Sequence, residues 1–198
     1  MLGSAAEARK ARRRDLTRRE ILEAAWQVAR EHGLASLALR QVAEQVGMRA
    51  PSLYSHFDSK NAIYDAMYAQ AWTEFLEIRR EAAASFPLEP RAALKAIART
   101  FFDFAVADVA RYQLMNVRTL PDFTPSSQAY APAVEVLDLL REELARFGVP
   151  DQEGVDLYTA LVSGLIDQHL ANDPNGTRWS GLLDRAMDMY ATEMNLPG

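Results

Sequence analysis

Residues 40–57 read RQVAEQVGMRAPSLYSHF, and this stretch decides the fold of the N-terminal part of the chain. It contains a helix of about two turns, a short turn with a glycine, and a second short helix, which together constitute a helix-turn-helix. Gly47 permits the turn, and Ala43 is small where the two helices must approach each other. Four apolar side chains can fill a small core: Val42, Val46, Leu53 and Phe57.

The second helix of this motif carries outward-facing side chains suited to contacting DNA. The start and the exposed face of such a helix meet base edges and phosphates when the helix enters the major groove. Hydroxyl and imidazole groups can donate or accept hydrogen bonds there, and small side chains let the backbone come close. The candidate DNA-binding positions in this segment are Arg49, Ala50, Pro51, Ser52, Ser55 and His56.

Helices are predicted on both sides of the motif. A capping box at Thr17 and Glu20 predicts the start of the first helix, and Gly33 is placed as its left-handed C-cap. Ser59 is the expected N-cap of a long helix over residues 60–80. Helical periodicity then continues without a β-alternating segment of useful length. The fold is therefore predicted to be all-α, with further helices at about 91–107, 109–119, 128–147, 151–170 and 179–194.

Charge is unevenly divided along the chain, whose net charge is −5. Residues 1–60 hold 11 Lys and Arg against 7 Asp and Glu, a net charge of +4. Residues 61–198 hold 11 against 20, a net charge of −9. A basic head on an acidic body is expected if only the head contacts a polyanion, because phosphate neutralisation supplies most nonspecific binding energy. A solvated basic tail is the alternative interpretation.

Three parts are predicted from these patterns. Residues 1–14 are rich in small and basic residues without periodicity, and we expect a flexible basic arm that can approach phosphates or a minor groove. Residues 15–60 are expected to form the helix-turn-helix domain of three helices. Residues 61–198 are expected to form a second, helical domain.

The residues also argue against several classes of protein. Without cysteine there is no disulfide framework or thiolate metal site. No apolar run approaches the roughly 20 residues that span a bilayer, and no apolar stretch resembles a signal peptide, so a cytoplasmic protein without a membrane partner is expected. Because catalytic triads, phosphate loops and His-Glu metal motifs are lacking, we expect neither an enzyme nor a cofactor or metal.

The segment from Thr17 to Lys60 resembles the DNA-binding domain of the TetR family of transcriptional regulators. The resemblance rests on EHGLASLALRQVAEQVG at residues 31–47 and on APSLYSHFDSKNAIYDAM at residues 50–67. One departure is that Ala38 and Leu39 replace the hydroxyl residues usual at the start of the second helix, which weakens its cap. The resemblance implies that bases lie near Ala50 and Ser52, and that phosphates are contacted by Arg40, Tyr54, His56 and Lys60.

The same resemblance implies that the remaining helices build a ligand pocket. Pockets of this kind are lined by apolar and aromatic side chains with a few polar ones. Asp103, Asn116 and Arg118 are the candidates for orienting a polar group of the ligand. The loop at residues 121–127 is a candidate gate, although aromatic residues at helical spacing can also be ordinary core. The candidate ligand-binding residues are Trp72, Phe75, Phe101, Phe104, Tyr112, Met115, Phe123 and Tyr130.

The last two predicted helices carry apolar stripes more extensive than one packed face needs. Two such helices from each protomer would form a four-helix bundle across a two-fold axis. A dimer would also space two recognition helices about one DNA turn apart, as a palindromic site requires. The expected interface residues of this homodimer are Leu157, Leu161, Leu165, Trp179, Leu183 and Met187.

The resulting functional hypothesis is a ligand-responsive transcriptional regulator. We expect a repressor that binds a palindromic operator in double-stranded DNA as a homodimer and is released by a small apolar or amphipathic effector. The alternative is a helix-turn-helix regulator controlled by protein contact without a small molecule, and an apolar cavity would separate the two.

Overall fold

The computed structural model describes residues 2–197, with side chains described from residue 7 onward. Every regular element in that range is helical, which confirms the all-α prediction. Within it, no helix is both long and apolar enough to cross a membrane. The helices are α1 (Leu2–His32), α2 (Leu39–Gln45), α3 (Ala50–Leu53), α4 (Lys60–Ala83), α5 (Pro90–Val106), α6 (Val109–Asn116), α7 (Ser127–Arg146), α8 (Gln152–Asn172) and α9 (Leu183–Glu193), with a 3-10 helix at Ser180–Leu182 before α9.

The segment predicted as a flexible arm, residues 1–14, is helical from Leu2 onward, so that prediction is wrong over the described residues; Met1 lies outside them. Alanine and arginine are among the strongest helix formers, and they extend α1 well beyond the apolar face that marks its packed part. The predicted capping box is wrong for the same reason. Thr17 lies inside the helix, where its hydroxyl donates to the carbonyl of Arg13 at 3.1 Å.

Local sequence signals account for the ends of the other N-terminal helices. Gly33 and Gly47 have φ angles of 82° and 66°, a left-handed conformation that favours glycine and ends α1 and α2 as predicted. The Ser59 side chain accepts from the backbone N–H of Ala62 and caps α4. At the start of α2, Ala38 provides no side-chain cap, as its departure from the family pattern implies.

The head formed by α1, α2 and α3 shares one hydrophobic core with α4. Ile21 and Ala25 of α1 pack with Leu53 and Phe57 of the helix-turn-helix, and Met67 of α4 belongs to the same buried cluster. This cluster continues into the body through aromatic residues of α4 and α5. A shift of α4 is therefore felt in both parts of the molecule, because close-packed cores transmit displacement.

A second core lies between α5, α8 and α9 and holds the far end of the body together. Leu94 and Phe102 of α5 pack with Ile166 of α8 and with Leu183 and Met187 of α9. Full burial of a large apolar side chain contributes about 1.5–3 kcal/mol each, so this second cluster is the main source of stability at that end.

Candidate nucleic-acid interface and adjoining cavity

The predicted DNA-binding residues form one outward surface around α3. Tyr54, at the end of α3, has 54% of its surface exposed. The other side chains are exposed or half-buried, while Leu53 and Phe57 point into the core. The exposed members are Arg40, Arg49, Pro51, Ser52, Tyr54 and Ser55, and the half-buried ones are Ala50, His56 and Lys60.

Several of these residues have partners within the chain. Arg40 pairs with Glu44 one turn along α2, at 2.9 Å. The Ser55 hydroxyl donates to the carbonyl of Ser52 at 2.7 Å. The ammonium of Lys60 lies 5.4 Å from the centroid of the Tyr64 ring. Because the pair of Arg40 is exposed on both sides, it is weak enough to be exchanged for a phosphate.

Two arginines of α1 hold the segment after α3 in place. Arg18 donates to the carbonyl of His56, and its guanidinium stacks 4.0 Å from the centroid of the Phe57 ring. Arg14 reaches the carbonyl of Ser55 at 3.5 Å. Sequence reasoning placed Arg14 in a free arm and missed Arg18 altogether. Arg18 and His56 lie 38 positions apart, and no local pattern indicates such a contact.

Basic side chains of α1 also line a groove beside the recognition surface. The groove has a volume of about 580 Å³ and lies between α1 and the helix-turn-helix. Lys10, Arg13 and Arg14 line one part of it, and Ser55 and His56 line another. The helical extension of α1 therefore adds positive charge next to the predicted DNA-binding residues, where it strengthens attraction to a phosphate backbone.

Two adjoining chambers lie within the body. The inner chamber has a volume of about 120 Å³ and is lined mainly by apolar side chains, among them Ile97, Leu140 and Val162. The outer chamber, of about 380 Å³, is bounded by the end of α6 and the loop after it. The two chambers share four lining residues: Trp72, Asn116, Ala133 and Leu137.

Six of the eight predicted ligand-binding residues line these chambers. Phe104 and Tyr112 line neither chamber. Phe104 is buried against Phe75 and beneath the guanidinium of Arg111. Tyr112 belongs to the second core. The residues that do line a chamber are Trp72, Phe75, Phe101, Met115, Phe123 and Tyr130.

Tyr112 instead joins α6 to α8. Its hydroxyl donates to the carboxylate of Asp167 at 2.8 Å. Burial, reinforced by the neighbouring carboxylate, raises the pKa of Tyr112 well above its ordinary value, so the hydroxyl stays protonated and remains a donor.

Of the three residues predicted to orient a polar group of the ligand, Asn116 and Arg118 line the chambers and Asp103 lines neither, while Arg79 and Thr119 are polar lining residues that were not predicted. Arg79 lines the inner chamber and forms a buried ion pair with Glu143. Arg118 and Thr119 line the outer chamber. The hydroxyl of Thr119 is shielded from solvent and makes no hydrogen bond within the described part of the chain.

The loop that bounds the outer chamber is fastened to the first turns of α4. The side chain of Asn61 donates to the carbonyl of Asp122 at 3.0 Å. The carboxylate of Asp65 accepts from both the backbone N–H and the hydroxyl of Ser126, at 2.6 and 2.7 Å. These contacts lie immediately after Ser59, the residue at which the head ends and α4 begins.

An aromatic contact continues from this loop into the head. The ring of Phe123 lies 5.7 Å from that of Tyr64 and 6.5 Å from that of Tyr68. The hydroxyl of Tyr64 donates to the carbonyl of Leu34, between α1 and α2, at 2.5 Å. Burial raises the pKa of Tyr64 to about 12. The outer chamber is thereby linked through the side chains of Phe123 and Tyr64 to the backbone carbonyl of Leu34 in the head.

The predicted dimer residues fall into two groups. Leu183 and Met187 of α9 are fully buried in the second core of their own protomer, and the prediction is wrong for both. The apolar stripe of α9 is used to cover α5 and α8, and it cannot reach a partner. Leu157 of α8 is 36% exposed, and the remaining members, Leu161, Leu165 and Trp179, are half-buried.

Among the residues whose side chains are described, no group of three or more His, Asp or Glu is placed to hold a metal ion. His169 is buried against the ring of Phe102, with centroids 5.3 Å apart. This histidine is therefore part of the second core.

Comparison with known proteins agrees with the architecture. Residues 21–67 match the family described as bacterial regulatory proteins, tetR family, and residues 94–188 match the family described as Tetracyclin repressor-like, C-terminal domain. A solved structure of a protein with unknown function from Rhodococcus sp. RHA1 superposes with a TM-score of 0.76 at 20% identity, covering 89% of this chain and 94% of that one.

Curated relatives match over a shorter range. The HTH-type transcriptional repressor KstR2 of Rhodococcus jostii is 34% identical over 99 residues, 48% of each chain. The HTH-type transcriptional activator FasR of Mycolicibacterium smegmatis is 30% identical over 102 residues, 52% of this chain and 46% of its own. The chain thus spans about half the length of these relatives. With both family matches and a helix-turn-helix head on a helical body, the chain belongs to the TetR family of DNA-binding transcriptional regulators, which are not enzymes.

Proposed function

We propose that this regulator is a cytoplasmic repressor that binds a palindromic operator as a homodimer and is released when a small molecule occupies the two chambers. The observation that carries the proposal is the loop between α6 and α7, which lines the outer chamber and is also bonded to the first turns of α4. One segment therefore contacts both the place where an effector would bind and the support of the DNA-binding head.

The residues around α3 would read and hold the DNA. Ser52 and Ala50 lie at the start of α3 and would approach base edges, with Arg49 beside them. Tyr54, His56, Lys60 and Arg40 would contact phosphates, which fixes the orientation of the head on the duplex. Lys10 and Arg13 in the groove beside them would add sequence-independent affinity that weakens as salt rises.

The exposed side of α8 would form the dimer interface. Leu157, Ala160, Leu161, Gly164 and Leu165 recur at helical spacing on this helix and are exposed or half-buried in the protomer. Their small and apolar side chains suit close packing of two helices across a two-fold axis. This interface replaces the one predicted with α9, whose stripe is already covered.

The switch would operate through the spacing of the two heads. An occupant of the outer chamber displaces Phe123, and this ring contacts Tyr64 at the start of α4. The movement of α4 would change the separation of the heads from the roughly 34–36 Å that successive major grooves require. Coupling of about 1–3 kcal/mol between the two sites is enough for a useful response.

The inner chamber favours this mechanism over control by protein contact alone, because its lining is mainly apolar. A regulator controlled only by another protein does not require an apolar cavity in its body. The outer chamber, at about 380 Å³, falls within the range of small-molecule sites in proteins.

A single-residue change on α8 tests the dimer and the operator together. A Cβ atom added at Gly164 meets no atom within 4 Å, so Gly164→Glu leaves the protomer intact while placing two like charges at the two-fold axis. We expect it to yield monomers by analytical ultracentrifugation and to lose at least tenfold in affinity for a duplex selected from sheared genomic DNA. Thr73→Glu, at an exposed position of α4, is the matched control. A Gly164→Glu protein that remains a dimer would place the interface elsewhere.

A further inference from the structure

The outer chamber carries a positive charge in a body that is otherwise acidic. Arg118 is the one charged residue among those that line the outer chamber, and Arg79 is the one among those that line the inner chamber. Among the residues whose side chains are described, no aspartate or glutamate lines either chamber, although residues 61–198 carry a net charge of −9. An arrangement of this kind attracts anions and disfavours cations.

The two arginines are not equivalent. Arg79 is neutralised by Glu143, and its guanidinium lies 4.6 Å from the centroid of the Phe86 ring. Arg118 is exposed, and it forms no ion pair or hydrogen bond with the side chains and backbone that the structure describes. The guanidinium of Arg118 is thus available to a ligand, whereas that of Arg79 is already paired.

A second polar group next to Arg118 also lacks a partner. The Thr119 hydroxyl is shielded from solvent and makes no hydrogen bond among the described residues. Leaving a buried polar group unpaired costs about 1–3 kcal/mol, a cost that an acceptor on a bound molecule would remove. Arg118 and Thr119 both line the outer chamber, so an acceptor bound to the guanidinium of Arg118 would lie beside the residue whose hydroxyl lacks a partner.

We propose that the effector is an anionic amphipath, whose carboxylate or phosphate is bound by Arg118 and Thr119 while its apolar chain enters the inner chamber. This inference rests on the proposed function, since it specifies the chemistry of the effector. The chain would pass Trp72 and Ala133, which line both chambers, and end among Phe75, Phe101 and Val162. The head group remains at the mouth, beside the loop that contacts α4.

Four probes whose linear chains contain ten carbon atoms separate the contribution of the head group from that of the chain. Binding of decanoate, decyl phosphate, decanol and decyltrimethylammonium is measured by calorimetry with the full-length protein, below the concentrations at which the probes form micelles. We expect the two anions to bind at least about tenfold more tightly than decanol, as a charge-assisted hydrogen bond provides, and the cation to bind most weakly. The comparison of decanoate with decyl phosphate identifies the preferred anion.

Substitutions then assign the preference to the named residues. Arg118→Ala is expected to bring decanoate to the affinity of decanol, and Arg118→Lys to retain part of the difference. Arg185→Ala, at an exposed arginine of α9 that lines neither chamber, is the control. Thr119→Val is expected to weaken decanoate binding about threefold without lowering the urea midpoint, because the hydroxyl it removes has no partner in the empty protein.

Failure of this inference is distinguishable from failure of the proposed function. Decanol binding as tightly as decanoate, or an anion preference that survives Arg118→Ala, would overturn the head-group assignment and leave an apolar sensor in place. Absence of binding by all four probes, in a protein that still binds its operator, would overturn both the assignment and the proposed control by a small amphipath.

Discussion

The buried ion pair beneath the inner chamber allows a quantitative test of how the body is held together. A side-chain nitrogen of Arg79 donates to Glu143 Oε2, and the two side chains are 4% and 11% exposed. Arg146 approaches the other oxygen of Glu143 at 3.6 Å from the surface. Glu143 therefore has a second cation nearby, whereas no second carboxylate pairs with Arg79 among the described residues.

This asymmetry predicts the order of the mutational effects. Breaking a buried pair costs about 3–5 kcal/mol because one charge is left uncompensated. Glu143→Met leaves the guanidinium of Arg79 buried without a counter-charge, and we expect the free energy of unfolding to fall by about 4 kcal/mol. Arg79→Met leaves Glu143 still paired with Arg146, and we expect a smaller decrease in the free energy of unfolding, about 2 kcal/mol. The free energy of unfolding of the double variant, Arg79→Met with Glu143→Met, should lie within about 1 kcal/mol of that of the original protein, because apolar groups of similar volume replace the whole pair.

Urea unfolding followed by circular dichroism measures these differences. The protein concentration is held fixed across all four proteins, since dissociation of the proposed dimer would otherwise contribute to the apparent stability. A cost below about 1 kcal/mol for Glu143→Met, or a larger cost for Arg79→Met than for Glu143→Met, would refute the reasoning from uncompensated charge.

Three further predictions concern the head, the buried tyrosines and α8. Arg18→Ala removes the hydrogen bond to the His56 carbonyl and the stacking on Phe57, so operator affinity measured by fluorescence anisotropy should fall about tenfold. Arg19→Ala, at an exposed position, is the control and should change the affinity little. Equal effects of the two substitutions would contradict the supporting role of Arg18. Burial raises the pKa of Tyr64 and Tyr190 from 10.0 to about 12. As the pH rises, the unfolded chain therefore loses these protons before the folded protein does. The urea midpoint should stay constant below pH 10 and fall between pH 10 and 12. A midpoint that does not change between pH 10 and 12 would argue against buried tyrosines. Gly154→Ala places a Cβ atom against the side chain of Val149 and should destabilise the protein by about 1–3 kcal/mol, whereas Gly181→Ala, in open space, should be nearly neutral by the same assay.

Local signals in the sequence account for much of the head. The left-handed glycines Gly33 and Gly47 and the cap at Ser59 each depend on a few neighbouring residues, so the turns and the start of α4 were predictable. The N-terminal extension of α1 was not predictable in this way, because residues 1–14 have no apolar face and the absence of such a face was interpreted as absence of structure. Alanine and arginine form helix without packing against anything.

Long-range packing accounts for the remaining differences. An apolar stripe shows that a helix face is covered, but not whether its own core or a second protomer covers it, and for Leu183 and Met187 the answer is their own core. Phe104 and Tyr112 were indistinguishable by residue type from the aromatics that line the chambers. The contact between Arg18 and the carbonyl of His56 brings together residues far apart in sequence, and neither residue type implies the other.

Sequence-specific reading of DNA by the surface around α3 is the central proposal, and one comparison tests it directly. Fluorescence anisotropy compares the affinity of the full-length protein for its selected palindrome with that for a scrambled duplex of equal length, at two salt concentrations. We predict a preference of at least about 10³-fold for the palindrome, with both affinities falling as salt rises. Equal affinity for the two duplexes would contradict the account, because the basic head would then bind phosphates without reading bases.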